Sequence, residues 1–310
     1  PWVYSLIALF LRGYGLDHPV MAAGLEGLDS FTIWEGDTRR LEACQSPVWD
    51  TALSMIALSD AGLDGNHDAI AGAADWLLKN EIRVPGDWQV KRPNLAPGGW
   101  AFEFANVNYP DIDDTAEVVL ALELANADSF TKIESVIQRG VEWTIGMQSL
   151  DGGWGAFDAD NDREIARRLP FCDFGEVIDP SSADVTAHAL EMLAAAGRTD
   201  EPPARRGIEW LRRNQEPDGS WFGRWGSNHV YGTGAVVTAL IAAQIPPDDP
   251  AIRRAVDWLQ RHQNADGGWG EDLRSYRERL WVGKGESTAS QTAWAILALL
   301  AAGERGASVA

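Results

Sequence analysis

Three carboxyl side chains fall within four residues at Asp111-Ile112-Asp113-Asp114, followed by Thr115 and Ala116. Capping of a helix start accounts for one or two of them. It does not account for three beside the apolar run Val118-Val119-Leu120-Ala121-Leu122. Crowded carboxyls raise one another's pKa, so at least one can keep its proton at neutral pH and serve as an acid. His188 follows Asp184 by four residues, which puts both on one helix face. A histidine hydrogen-bonded to a carboxyl can tune an acid and return its proton; a lone histidine can equally be a satisfied core residue. Trp49, Phe102, Phe174, Trp225 and Tyr231 stand near the starts of predicted helices, where their faces could stabilise a cation without attacking it. Asp158-Ala159-Asp160-Asn161-Asp162 imitates the opening of a calcium loop, but Arg163 and Leu169 occupy positions that need Gly and Glu, so it reads as a solvated loop. No His/Cys pair has zinc spacing.

Residues this far apart in sequence need a frame that gathers them, and two alternating repeats supply one. The first runs from Trp143 through Gln148 to Asp151-Gly152-Gly153-Trp154. It recurs at Trp210, Gln215 and Asp218-Gly219-Ser220-Trp221, and again at Trp258, Gln263 and Asp266-Gly267-Gly268-Trp269. A degenerate fourth copy reads from Trp76 through Glu81 to Trp88. Each copy is a helix stopped by an Asp-Gly turn, with the following Trp free to pack back on the helix end. The second repeat is a helix opening on Thr-Ala, at Thr51, Thr115, Thr186 and Thr292, with a looser copy at Thr233. These helices are apolar nearly all round and belong inside, whereas the first kind is amphipathic and belongs outside.

Inner helices are predicted near 3–12, 50–61, 113–125, 184–197, 231–244 and 289–302, and outer helices near 19–28, 68–80, 131–146, 204–214 and 251–262. The expectation is an all-α chain, a single domain over 1–310 built as an (α/α)6 barrel incomplete at its C-terminus. The inner helix near 289–302 would then carry an uncovered apolar flank. No sustained alternating run predicts a strand. Parallel inner helices would bring Trp49 and Asp50, Asp113 and Asp114, Asp184 and His188, and Trp225 and Tyr231 to one end, where helix N-termini favour carboxylates.

Composition narrows the function. The chain of 310 residues carries 46 acidic against 26 basic residues, a net charge of −20, which disfavours a nucleic-acid partner. Cys44 and Cys172 define neither a disulfide framework nor a metal cluster. No apolar run reaches membrane-spanning length. The sequence opens on Pro1-Trp2 without an initiator methionine and reads as a segment of a longer protein. Fifteen tryptophans beside five tyrosines and nine phenylalanines mean that something here needs large indole rings.

Together these motifs resemble those of the squalene–hopene cyclases along the whole chain. The Gln/Trp repeats and Asp111-Ile112-Asp113-Asp114-Thr115-Ala116 match family motifs. So do Gln45-Ser46-Pro47-Val48-Trp49-Asp50-Thr51, Pro97-Gly98-Gly99-Trp100-Ala101-Phe102, Pro170-Phe171-Cys172-Asp173-Phe174-Gly175-Glu176 and Trp221-Phe222-Gly223-Arg224-Trp225-Gly226. The resemblance implies that Asp113 protonates the terminal double bond of squalene, flanked by Asp111 and Asp114 and supported by His188 with Asp184. It further implies that Trp49, Phe102, Tyr109, Trp225 and Tyr231 line the cavity, and that Phe171, Cys172 and Phe174 form the channel constriction. No metal and no organic cofactor are implied. The implied location is one face of the membrane, on the cytoplasmic side, with squalene entering from the bilayer and a homodimer as an allowed assembly. Trp100 and Glu103 replace a usual Phe and Gln, and Phe157 replaces a frequent Tyr, which bears on product choice. A class II diterpene cyclase shares the acid motif, and an (α/α)6 glycosidase would also use paired carboxylates and tryptophans.

Overall fold

The computed structural model describes residues 2–42, 44–104, 106–125, 130–163, 165 and 178–304. Eleven α-helices follow one another among the described residues, and the chain groups into two compact units. The smaller unit comprises residues 1–47 and 102–105; the larger comprises 48–101 and 106–310.

In the smaller unit α1 (Trp2–Leu11) packs on α2 (Pro19–Ser30). α1 was expected as an inner helix, yet Tyr4, Ile7, Phe10 and Leu11 are all exposed. A short antiparallel hairpin follows, β1 (Thr32–Glu35) and β2 (Thr38–Leu41), pairing Thr32 with Leu41 and Glu35 with Thr38. The sequence reading contained no strand here. Four residues per strand are too few to establish an alternating pattern. The usable signal was the two-residue Gly36-Asp37 connection, where Gly36 adopts φ 59° as tight hairpin turns require.

The larger unit is a succession of helical hairpins of (α/α) barrel type. The inner helices are α3 (Pro47–Asp60), α5 (Ile112–Glu123), α7 (Ala183–Ala195), α9 (His229–Ala242) and α11 (Ala289–Ala301). The outer helices are α4 (Asp68–Lys79), α6 (Phe130–Gly146), α8 (Pro202–Arg213) and α10 (Pro250–Arg261). α5, α7, α9 and α11 lie side by side in chain order, with α6, α8 and α10 against their flanks. α5, α7 and α9 are buried over most of their surface, as helices without a polar face must be. α8 and α10 bury one face and end on arginines, which suit a helix C-terminus. On α11, Leu297 and Leu300 are exposed while Ala295, Ala298 and Leu299 are buried.

The two repeats are halves of one lock. The Trp after each turn is buried, and its indole N–H donates to a carbonyl at the end of the preceding outer helix. Trp154 reaches Thr144 O at 2.7 Å, and Trp221 and Trp269 reach Leu211 O and Leu259 O at 2.8 Å. The same residue's backbone N–H donates to the Thr that opens the next inner helix, at 3.0 Å from Thr186, Thr233 and Thr292 respectively. The repeat Gln closes the turn, as Gln148 Nε2 donates to Gly152 O at 2.8 Å and to Pro203 O at 2.9 Å. Gly152, Gly219 and Gly267 adopt φ of 99°, 104° and 88°, a conformation that a side chain disfavours.

The fourth copy closes on Trp100 rather than Trp88. Trp100 Nε1 donates to Leu77 O at 2.8 Å, and its N–H donates to Thr115 Oγ1 at 3.0 Å. Glu81 takes the Gln place and receives Arg139 at 2.6 and 2.7 Å, just as Arg206 donates to Gln148. The lock spans 23 residues here against ten in the other copies, so spacing alone pointed to the nearer Trp. Trp88 is buried and packs edge-on against Trp143 instead.

Candidate active site

The start of α5 separates the three carboxyls by direction. Asp111 is the N-cap: it is extended, and its Oδ1 accepts from Asp114 N at 2.6 Å. Its own N–H donates to Trp100 O at 2.8 Å, so the Trp100 lock fixes the residue that begins the helix. Capping therefore accounts for Asp111 and leaves the other two. Asp113 turns toward α7, where its Oδ1 lies 2.6 Å from His188 Nδ1. Asp114 is buried with Oδ1 lacking any hydrogen-bond partner.

Burial costs an isolated charge heavily, so these groups must pair or hold protons. Burial pushes Asp111 well above the usual carboxylate range, and the Asp114 charge adds to the rise. Burial also raises Asp114 to about 7, against the opposing hydrogen bond to Asp111 and with the charges of Asp113, Glu117 and Asp50 in support. Two further carboxyls complete the group. Glu117, one turn beyond Asp113, is raised by burial to about 7 and sits 3.9 Å from His188 Nδ1. Glu191, on α7, is raised by burial against the pull of His188. For His188 burial opposes the charge, but the Asp113 carboxylate, its hydrogen bond, Glu117 and Glu191 push the ring up to about 10. The charged form of His188 is therefore favoured while Asp113 is a carboxylate.

Asp184 accepts from Ser182 Oγ at 2.6 Å and from Trp225 N at 2.7 Å. Burial and the Asp113 charge raise it. The carboxyl lies in the first turn of α7, within reach of its own cap residue and of the incoming Trp225 loop.

Aromatic rings border the pair. The His188 ring lies 6.1 Å from Trp49 and 6.2 Å from Tyr231, and Tyr231 packs on Trp294 at 4.7 Å. Tyr231 is buried, whereas Trp225 is 50% exposed and meets Phe157 edge-on at 5.7 Å. Tyr109 is half-exposed and Asp50 is exposed in the first turn of α3. Phe102 is grouped with the smaller unit. Phe171, Cys172 and Phe174 lie outside the described residues. The loop at Asp158–Asp162 is not simply solvated: Asp160 pairs with Arg92 at 3.0 Å. Among the described residues no group of three or more ligating side chains could hold a metal. Glu117 and Glu191 escaped the sequence reading. Their signal was a Glu four residues after Asp113 and another three after His188, each on an apolar helix.

Chemically, a proton delivered to Asp113 would sit on a strengthened acid, because His188 favours the carboxylate left after transfer and burial keeps water from levelling that advantage. Stability should carry the same signature. Asp114 and Glu117 have folded pKa values raised to about 7 from 3.8 and 4.5. Between those limits the folded state binds the extra protons, so stability falls as pH rises from about 4 to about 7, by up to roughly 1.4 kcal/mol per pH unit per group. Urea titrations across that range should give a higher midpoint near pH 5 than near pH 7.5, and D114N/E117Q should flatten the difference. An unchanged slope in the double variant would contradict this assignment.

The family described as "Squalene-hopene cyclase C-terminal domain" matches residues 45–310. The chain is 52% identical over 305 residues to the squalene–hopene cyclase of Alicyclobacillus acidocaldarius, covering 98% of this chain and 48% of that protein. It is 48% identical over 311 residues to that of Bradyrhizobium diazoefficiens, covering 98% and 47%. The chain therefore spans about half the length of these curated relatives. Its fold is similar to that of the type II terpene cyclase MstE from Scytonema, with a TM-score of 0.58 at 21% identity, over 90% of this chain and 67% of that one. A match over most of its length and near-50% identity to two such enzymes place the chain in the squalene–hopene cyclase family.

Proposed function

We propose that this chain is the catalytic half of an enzyme that cyclises squalene to hopene or hopanol by protonating a terminal double bond. The observation that carries the reading is the 2.6 Å contact between Asp113, at the start of the buried α5, and His188, on the buried α7. Asp113 is the proton donor. His188 stabilises the carboxylate that remains, and Asp111 and Asp114 hold the helix start around it. Trp49, Tyr231 and Trp225 present aromatic faces to the successive cations, which a π-system stabilises without trapping. Relatives at 52% and 48% identity that are named squalene–hopene cyclases support squalene as the substrate. Gas chromatography of products after feeding squalene to the full-length protein tests this directly; absence of any pentacyclic product would overturn it.

We also propose peripheral attachment to the cytoplasmic face of a membrane. No described helix is long and apolar enough to cross one, while α1 exposes Tyr4, Ile7, Phe10 and Leu11. Vesicle flotation of the full-length protein is the measurement, and failure to float would count against it.

Cation shielding gives a further expectation. Trp225→Ala removes a π face worth about 1–2 kcal/mol, enough for deprotonation to compete with the next ring closure. Products with fewer rings should accumulate. A product spectrum identical to that of the unaltered enzyme would remove Trp225 from the cavity wall.

A further inference from the structure

The start of α9 is not capped by its own residue. Asn228, at the N-cap position, makes no side-chain capping bond, and its amide instead donates to Ser275 Oγ at 3.2 Å. The free helix amides are met by Glu271, 41 residues beyond Val230 in the chain. Glu271 Oε2 accepts from Val230 N at 2.8 Å and lies 3.4 Å from Asn228 N. Its Oε1 faces His229 Nδ1 at 3.1 Å. The two side chains are 5% exposed for His229 and 0% for Glu271, so neither is screened by water. Burial works against the charge on Glu271, but the bonds from His229, Val230 and Gly283 outweigh it and hold the carboxyl below its usual range. A buried carboxylate at a helix N-terminus with several donors is a rigid arrangement.

What it holds bears on the site. Tyr231 follows Val230 directly, and its ring meets His188 and Trp294. The loop bearing Trp225 lies on that ring so closely that a Cβ on Gly226 would fall 2.2 Å from Tyr231 Cδ1. The loop is tied to the same anchor, since Gly223 N donates to Asn228 O at 3.1 Å and Gln291 Nε2 donates to Ser227 O at 2.8 Å. Gln291 Nε2 also lies 3.4 Å from Glu271 O. One carboxylate therefore holds the helix start that carries Tyr231 and, through Asn228 and Gln291, is linked to the loop that carries Trp225.

We infer that Glu271, together with His229, is a positioning residue that fixes Trp225 and Tyr231 beside the Asp113–His188 pair and thereby controls how many rings close before the cation is lost. This rests on the cyclase reading proposed above. Glu271→Gln preserves size and one acceptor oxygen but removes the charge and the second acceptor.

The test uses the full-length protein and two readouts. Amide hydrogen exchange in peptides covering 222–232 should quicken by roughly tenfold or more in Glu271→Gln, while peptides from α5 stay as they were. With squalene, the share of partly cyclised products should rise severalfold, and the shifts caused by Glu271→Gln and Trp225→Ala should combine to less than their sum, because part of the Glu271 effect runs through the Trp225 ring. If Glu271→Gln does not fold, His229→Gln keeps the backbone bonds to Glu271 and should show both changes in smaller measure. Unchanged exchange overturns the inference. So does quickened exchange with an unaltered product distribution, or full additivity with Trp225→Ala, since a purely structural anchor predicts those. Should the unaltered protein make no cyclic product at all, the cyclase reading fails, and the exchange result alone decides whether Glu271 holds the two rings.

Discussion

Asp113→Asn in the full-length protein is expected to lower squalene cyclisation by on the order of 10²–10⁴-fold while the protein remains folded. Asparagine keeps the shape of the side chain, and its carbonyl oxygen can still accept from His188 Nδ1, which stands 2.6 Å from Asp113 Oδ1. What it loses is the transferable proton. The neighbouring carboxyls cannot take over easily. Asp111 is committed to capping α5 through Asp114 N. Asp184 is held by Ser182 and Trp225. Activity in stopped incubations with squalene, alongside far-UV circular dichroism, separates loss of chemistry from loss of fold. Retention of more than a few per cent of the unaltered rate would show that the proton comes from elsewhere in the cluster.

Trp154→Ala is expected to destabilise the fold by about 3–5 kcal/mol, the range for removing a large buried aromatic. Trp154 is fully buried. It is bonded at once to Thr144 O on α6 and, through its backbone, to Thr186 on α7. Alanine leaves a cavity and strips Thr144 O, at the end of α6, of its indole donor. Because His188 follows Thr186 on the same helix, loosening this lock also loosens the acid pair. Trp154→Phe keeps most of the volume and loses only the indole N–H, so it should cost about 0.5–1.5 kcal/mol. Urea denaturation of both variants gives the comparison. A cost below about 1 kcal/mol for the alanine variant would mean that the repeat Trp is not the clamp between outer and inner helices.

The sequence by itself determined the framework and the carboxyl cluster. Repeats with a fixed distance from helix to Gln to Trp can only be satisfied by the same local structure each time, so α6 to α11 were legible with their inner and outer roles. The Asp111–Thr115 cluster was legible because capping uses one or two carboxyls at a helix start and leaves the third beside an apolar helix without an ordinary structural use. The sequence could not show contacts made across helices. The 2.6 Å contact of His188 with Asp113, 75 residues away, and the bond from Trp225 N to Asp184 are both of that kind. Likewise the lock on Trp100 and the cap on α9 from Glu271 depend on which segments an insertion or a loop brings back to the helix ends. Local periodicity fixes which face of a helix is buried. Only tertiary packing decides which of several nearby polar groups, each obliged to find a partner when buried, meets which other.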